Sequence, residues 1–109
     1  MKHMTYEELV KQVKEIAEKA DVSKIQEHVA FQFNIQGEAA GAFYLEIKEG
    51  KAVVEPYEYY DRNVLISCTA ETLLKIITGK LDPVFAYTVK KIKVEGDLGK
   101  ALLLKEIVG

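Results

Sequence analysis

The sequence predicts an α+β fold in which one mostly antiparallel, five-stranded sheet carries about four to five helices on one face. Apolar residues first recur every three to four positions, then alternate with polar residues through the middle of the chain. The last third returns to helix-capping signals around one further strand. Because most strands show the same one-sided pattern, we expect helices on the apolar face of the sheet and water on the other.

The first element is an amphipathic helix over roughly residues 5–20. Thr5 and Glu8 have the spacing of a capping box, in which the two side chains satisfy free N–H groups of the first turn. Leu9 and Val13 then recur at helical spacing, and lysines and glutamates fill the opposite side. This pattern is typical of a surface helix that buries one face.

Four strands are predicted next, of which the third is short and the other three show alternating apolar and polar residues. Their expected ranges are 29–36, 41–48, 52–55 and 64–69. Glu49 and Gly50 mark a tight turn before the third strand. The tyrosine-rich loop at residues 57–62 lines the opening of a ligand site, contacts a partner, or covers the open face of the sheet, and the last interpretation is the simplest.

Two helices are then predicted from their termini. Thr69 is placed to cap a helix that runs through Ile77, and Gly79 suits the left-handed position just past its end. Asp82 followed by Pro83 is an N-cap with proline at the first helical position. The second of these helices is short, and we expect it to act as a lid.

The last helix, from Leu98 to about Val108, follows a final strand at residues 91–95 and an N-cap at Asp97. Its apolar residues cover most of its circumference, namely Leu98, Ala101, Leu102, Leu103, Leu104, Ile107 and Val108. Such a helix should be buried on more than one side. We expect this helix to contact another subunit, to line a cavity that holds a ligand, or to pack in the core as an ordinary helix.

Composition narrows the class of protein. At 109 residues the chain predicts one domain, residues 1–109. Fifteen basic and seventeen acidic residues give a net charge of -2, which leaves no broad basic face for nucleic acid. The single Cys68 cannot form an internal disulfide, so we expect a reducing, cytoplasmic setting.

No pattern in the sequence specifies catalysis. His3 and His28 lie far apart, and Cys68 lies on the inward side of a strand, where a thiol behaves as a small apolar group. The sequence has no glycine-rich phosphate loop, metal-ligand spacing or nucleophile elbow. We therefore expect no enzyme activity, no cofactor and no metal.

A series of short motifs is more informative than any one of them. They are Phe31-x-Phe33, Leu45 to Lys51, Thr78-Gly79-Lys80-Leu81-Asp82-Pro83, Lys91-Ile92-Lys93-Val94 and Gly96-Asp97-Leu98-Gly99-Lys100-Ala101. In this order they resemble the sterol carrier protein type 2 family over about residues 8–107. The resemblance implies an apolar tunnel between sheet and helices. It also implies non-catalytic binding or transfer of a fatty acid, acyl-CoA, sterol-like or isoprenoid lipid, with transient membrane contact.

Two features qualify the resemblance. Lys90 stands where some family members carry glycine before the final strand, so we expect a different turn there. The sequence contains no peroxisomal tripeptide and no fused thiolase, so we expect a free-standing, prokaryotic-type member of the family. The alternative function is a dimerisation or accessory module of a lipid- or quinone-related enzyme system, with a homodimer formed through the C-terminal helix.

The expected lipid site combines the inward side of the sheet with the apolar sides of the later helices. We expect the ligand to contact Phe33, Phe43, Leu45, Ile66, Leu74, Ile77, Phe85, Leu98, Ala101 and Leu102. This prediction assumes that the side chains between the sheet and the helices leave a cavity and do not fill the interior completely.

Overall fold

A computed structural model describes residues 4–108 and confirms the α+β architecture. The elements in chain order are α1 (Tyr6–Lys19), β1 (Val29–Gln36), β2 (Gly41–Lys48), β3 (Lys51–Glu55), β4 (Val64–Thr69), α2 (Ala70–Ile77), α3 (Pro83–Thr88), β5 (Lys93–Gly96), α4 (Leu98–Ala101) and α5 (Leu104–Val108). The five strands form one sheet in the order β3-β2-β1-β4-β5. β1 and β4 are parallel, and the other neighbouring pairs are antiparallel. None of the helices in this range is long and apolar enough to cross a bilayer.

Helix α1 begins at the capping box that the sequence predicts. Thr5 Oγ1 accepts a hydrogen bond from the Glu8 N–H at 3.1 Å, which satisfies one of the free donors of the first turn. The buried residues Leu9, Val13 and Ala17 form one stripe of the helix, and α1 packs on β3 at one edge of the sheet. The hairpin from β2 to β3 turns at Glu49 and Gly50, whose φ angles of 52° and 77° are both in the left-handed region that a two-residue turn requires.

The core lies between the helices and one face of the sheet. Phe31, Phe33 and Phe43 stack at its centre, with ring centroids 6.4 Å apart for the first pair and 5.2 Å for the second. All three side chains are fully buried. The alternation of apolar residues along β1 and β2 therefore predicted correctly which side of these strands packs inward.

The opposite face of the sheet is partly covered, which corrects the expectation that it meets water throughout. The connection from β3 to β4 has to cross the sheet because β4 lies beside β1. Tyr59 on this crossover lies over the open face: its N–H donates to Gln32 Oε1 at 3.0 Å, and its hydroxyl donates to Glu46 at 2.8 Å. Gln32 is consequently 2% exposed, although its position in the pattern predicts contact with water. Tyr59 of the tyrosine-rich loop thus covers part of this face, whereas Tyr57 and Tyr60 are 64% and 85% exposed.

The prediction of one continuous last helix is wrong. Helix α4 ends at Ala101 and α5 begins at Leu104, with a tight turn between them. In this turn the Leu103 N–H donates to the Lys100 carbonyl and the Lys105 N–H to the Leu102 carbonyl, which are i→i−3 bonds that wind the chain more tightly than an α-helix. The break divides the apolar residues into two groups. Leu104 and Ile107 are buried in the core, whereas Leu98 and Leu102 are half-exposed.

Gly96 is expected to be one of the least replaceable residues of the fold. Its φ of +107° disfavours any side chain, and a Cβ atom there would lie 2.4 Å from the Asn63 carbonyl oxygen. We expect Gly96→Ala to lower the free energy of unfolding by about 2–4 kcal/mol, the sum of backbone strain and overpacking. Urea denaturation measures this change.

Gly37→Ala is the matched control, because Gly37 also has a left-handed φ of +77° but has no atom within 4 Å of an added Cβ. It should cost only the backbone strain, about 1 kcal/mol. Equal losses for the two variants would show that the contact with Asn63 adds nothing.

Candidate functional site

An apolar cavity of about 430 Å³ lies between the β4–β5 end of the sheet and the helices α3 and α4. Its lining residues are Ile66, Pro83, Val84, Tyr87, Thr88, Ile92, Val94, Leu98, Gly99, Ala101, Leu102 and Leu104. Only Tyr87 and Thr88 carry polar side-chain atoms. The volume falls within the range of about 300–1,000 Å³ that is usual for small-molecule sites.

Helix α3 forms one wall of the cavity and presents three different faces. Asp82 starts the helix, since its carboxylate accepts the Phe85 N–H at 3.0 Å. Pro83 and Ala86, three residues apart, are buried. Val84, Tyr87 and Thr88 form the face that lines the cavity. Phe85 and Val89, the latter just past the end of the helix, are 53% and 44% exposed and are not among the residues that line the cavity.

The turn after α3 brings the chain back to the sheet. Lys90 has a φ of +63°, so this lysine adopts the backbone conformation that glycine takes most easily. The Lys91 N–H donates to the Ala86 carbonyl at 2.8 Å and closes the turn. The next residue, Ile92, points inward and is 6% exposed, which places it in the cavity wall.

Helix α4 forms the mouth of the cavity. Asp97 accepts the Lys100 N–H at 3.1 Å and fixes the start of the helix next to the end of β5. Leu98 and Leu102 line the cavity yet are 51% and 55% exposed, so the mouth is open to solvent. Gly99 and Ala101 also line it, and their small side chains leave room between α4 and the sheet.

Four of the ten residues expected from the sequence line this cavity, namely Ile66, Leu98, Ala101 and Leu102. They come from β4, from α4 and from the turn that follows α4. Ile66 pairs with Val94 of β5, and together these two side chains form the floor. That any of the four contacts a lipid stays a prediction.

The other six expected residues lie elsewhere, namely Phe33, Phe43, Leu45, Leu74, Ile77 and Phe85. The three on β1 and β2 are at most 2% exposed and belong to the packed core. The two on α2 are buried or partly buried on a helix that contacts α1 and α5. Phe85 is 53% exposed on the outer face of α3. None of the six is among the residues that line the cavity in the described part of the chain.

Eight lining residues were not expected from the sequence, namely Pro83, Val84, Tyr87, Thr88, Ile92, Val94, Gly99 and Leu104. Ile92 and Val94 could have been included, because they were already assigned to the inward side of the last strand. The helical spacing of Val84, Tyr87 and Thr88 marks them as one face. The sequence does not show, however, which face of so short a helix turns towards the sheet.

A second, wider depression of about 800 Å³ adjoins the cavity and shares Tyr87, Thr88, Ile92 and Val94 with it. Its remaining lining residues are Gln36, Ser67, Cys68, Thr69, Lys90, Lys91 and Lys93. Its walls are more polar than those of the apolar cavity and include three lysines, and it is open to solvent, so it resembles hydrated surface more than a binding site. The apolar cavity is therefore the candidate site.

Neither Cys68 nor His28 is among the residues that line the apolar cavity. Cys68 is buried, and desolvation raises the pKa of its thiol to about 12, so it is protonated at neutral pH and a poor nucleophile. His28 contacts Glu46 on the opposite face of the sheet, and this contact lowers the pKa of the Glu46 carboxyl. His3 lies outside the described residues. Within residues 4–108, no three His, Cys, Asp or Glu side chains are grouped as metal ligands would be.

The fold and the cavity together define a small domain in which a sheet and short helices surround an open, apolar concavity. Residues 6–109 match the SCP-2 sterol transfer family, and the chain belongs to that family. The family resemblance seen in the sequence motifs is thereby confirmed.

Known proteins share the sequence or the fold of this chain. Hydroxysteroid dehydrogenase-like protein 2 of Xenopus tropicalis is 38% identical over 82 residues, a match that covers 72% of this chain but only 19% of that protein. The Sterol Carrier Protein 2 Like 2 structure from Aedes aegypti has a TM-score of 0.71 at 22% identity, with 94% of each chain covered. Sterol Carrier Protein-2 from Aedes aegypti, in complex with the C16 fatty acid palmitate, has a TM-score of 0.67 at 18% identity, with 97% of this chain and 96% of that chain covered. The two structures show the fold alone.

Proposed function

We propose that this chain is a non-catalytic lipid binding and transfer domain, which holds the apolar part of a lipid in the cavity between α3, α4 and the sheet. One observation carries this proposal: Leu98 and Leu102 are half-exposed at the mouth of a cavity whose walls are almost wholly apolar. Large apolar side chains grouped around a concavity indicate a ligand or a partner. Membership of the family and the palmitate complex of the Aedes aegypti protein support a lipid as that ligand.

The size of the cavity suits reversible binding. Transferring one methylene out of water is worth about 0.8 kcal/mol, so burying about ten of them would give roughly 8 kcal/mol. Ordering the lipid and the cavity walls reduces this gain. We therefore expect a dissociation constant of about 1 µM or weaker, which would allow a carrier to release its lipid.

The chemistry of the walls favours a slender, apolar chain. Tyr87 and Thr88 are the only lining residues that offer a polar side-chain atom. Few groups in the cavity could therefore form hydrogen bonds with the polar part of a ligand. Among the lipids implied by the family, we propose that the buried part is an acyl or isoprenoid chain of a fatty acid, acyl-CoA or related lipid. A continuous tunnel, a cytoplasmic location and a sterol-like ligand stay predictions.

Two measurements test this function. Native mass spectrometry of protein purified without detergent should show a bound species of lipid mass that is lost on delipidation. Delipidated protein should then bind a fluorescent fatty acid with one-to-one stoichiometry, and palmitate should displace the probe. A folded protein that carries no lipid and binds none of a fatty acid, an acyl-CoA, a sterol and a short-chain quinone at about 100 µM would exclude the proposal.

A second candidate function is an accessory module for a larger enzyme. It is favoured by the relative from Xenopus tropicalis, in which the matching segment is 19% of the protein. In this case the exposed Leu98 and Leu102 would contact another subunit or another copy of this chain. Light scattering on delipidated protein separates the two candidates, because a monomer that binds lipid supports the carrier and a dimer that binds none supports the module.

A further inference from the structure

The apolar cavity and the wider depression adjoin along α3 and β5. Four residues line both of them, namely Tyr87, Thr88, Ile92 and Val94. Tyr87 and Thr88 are exposed, so they form a rim between the two concavities and not a closed wall. A lipid whose chain fills the cavity can therefore extend its head to water in two directions, past the mouth at α4 or over this rim into the depression.

The wider depression is lined by positive charges, with no acidic side chain among the described residues that form it. Lys90, Lys91 and Lys93 are exposed in it, and none of the three forms an ion pair with another described residue. Glu95, the next acidic residue along the chain, lines a separate hollow of about 180 Å³ beside Arg62. An anion in the wider depression would therefore meet three unpaired lysines.

The mouth of the cavity offers an anion much less. The lysine of α4, Lys100, is paired with Glu27 at 2.6 Å, and the lysine of α5, Lys105, is paired with Asp82 at 3.3 Å. Asp97, at the start of α4, adds a further carboxylate. A negatively charged head at the mouth would meet these carboxylates as well as the lysines, so electrostatics favours the depression.

We propose that the site binds an anionic lipid in one direction, with the chain in the apolar cavity and the charged head in the wider depression against Lys90, Lys91 and Lys93. This inference rests on the proposed lipid-binding function and deepens it, because it names the class of lipid as a single-chain amphiphile with a carboxylate or phosphate head. The depression by itself is hydrated surface. Next to a bound chain it receives a head that stays hydrated while the lysines attract it.

Tyr87 lies at the boundary between chain and head. Its side chain lines both concavities, and its hydroxyl forms no hydrogen bond with another described residue. Thr88, the other polar residue of the rim, already donates its hydroxyl to the Val84 carbonyl at 2.9 Å. The Tyr87 hydroxyl is therefore the donor available to the head, and Tyr87→Phe should weaken binding of an anionic lipid about fivefold.

A matched pair of ligands tests the direction of binding. Dodecanoate and dodecanol have the same chain, but only dodecanoate is charged at neutral pH. Isothermal titration of the delipidated full chain gives the affinity for each. The double variant K91Q/K93Q should bind dodecanoate about tenfold more weakly at low salt and dodecanol with nearly unchanged affinity. Added salt should weaken dodecanoate binding by the wild-type protein and reduce this difference, because ions screen the charges.

The double variant K100Q/K105Q is the matched control, because it removes the same charge from beside the mouth. Its affinities for both ligands should change about twofold at most, since exposed ion pairs contribute little. A selective loss of dodecanoate binding in this variant, and not in K91Q/K93Q, would place the head at the mouth and overturn the proposal. Equal effects of K91Q/K93Q on dodecanoate and dodecanol would overturn it as well.

Two further comparisons complete the test. Dodecanoyl-CoA distinguishes the kinds of head: a larger loss than for dodecanoate in K91Q/K93Q supports phosphate as the group bound, and a smaller loss supports carboxylate. The wild-type protein separates this inference from the function on which it rests. Binding of neither dodecanoate nor dodecanol rejects the carrier function itself, whereas binding of both without a selective effect of K91Q/K93Q rejects only the direction of the lipid.

Discussion

Leu102→Asp is expected to abolish lipid uptake and to leave the fold intact. Leu102 lines the cavity but is 55% exposed, so a carboxylate at this position stays hydrated while the cavity is empty. A lipid that fills the cavity would take water away from that charge, which is unfavourable without a compensating partner. We expect affinity for a fluorescent fatty acid to fall at least about 100-fold, equivalent to about 3 kcal/mol.

Two further variants make this result interpretable. Tyr60→Asp adds the same charge at a side chain that is 85% exposed on the crossover loop, and it should leave both affinity and stability unchanged. Leu102→Ala removes apolar contact without adding charge and should weaken binding by roughly tenfold. Fluorescence titration gives the affinities, and circular dichroism checks the fold. Full uptake by folded Leu102→Asp protein would remove Leu102 from the site.

The elements of the fold could be predicted because their signals are local. The N-caps Thr5, Thr69, Asp82 and Asp97 all accept the expected hydrogen bonds from the first turn of their helices. The alternation along the strands likewise depends only on neighbouring residues. Such signals decide where a helix or strand begins and which of its sides is apolar.

The environment of each apolar side could be predicted only in part, because it depends on contacts that are distant in sequence. Gln32 is buried because the crossover from β3 to β4 lies on the open face, and only the order of the strands requires that crossing. Phe85 is apolar, yet α3 turns Val84 and Tyr87 to the cavity instead. The division of the last helix at Leu102 depends on tight turns that the run of leucines does not reveal.

Small residues mark one wall of the cavity. Gly99 and Ala101 alternate with large apolar residues along α4, and small residues in such a position are compatible either with a hollow or with close packing. In the structure they line the open space. The excess of apolar residues in the last helix has a related explanation, since α5 completes the core while α4 contributes the side chains at the mouth.

Of the substitutions proposed for this chain, Phe33→Ala is expected to lower the free energy of unfolding the most. The Phe33 side chain is fully buried on the central strand β1, opposite Phe43 on one side and Ile66 on the other. Its removal should cost about 3–5 kcal/mol. That is about a third to a half of the mid-range stability of an ordinary domain, which is about 5–15 kcal/mol. Thermal or urea denaturation should therefore show a strongly lowered midpoint.

The milder Phe33→Leu variant should stay folded, at a cost of about 1.5 kcal/mol. Because Phe33 does not line the cavity, the folded variant should bind the fluorescent fatty acid with wild-type affinity. Ile66 provides the contrast, since it lies in the floor of the cavity: Ile66→Val removes one methylene and should weaken binding about threefold to fourfold. If Phe33→Leu instead weakened binding tenfold, the lipid would extend past Ile66 into the centre of the sheet, and Phe33 would belong to the site as the sequence predicts.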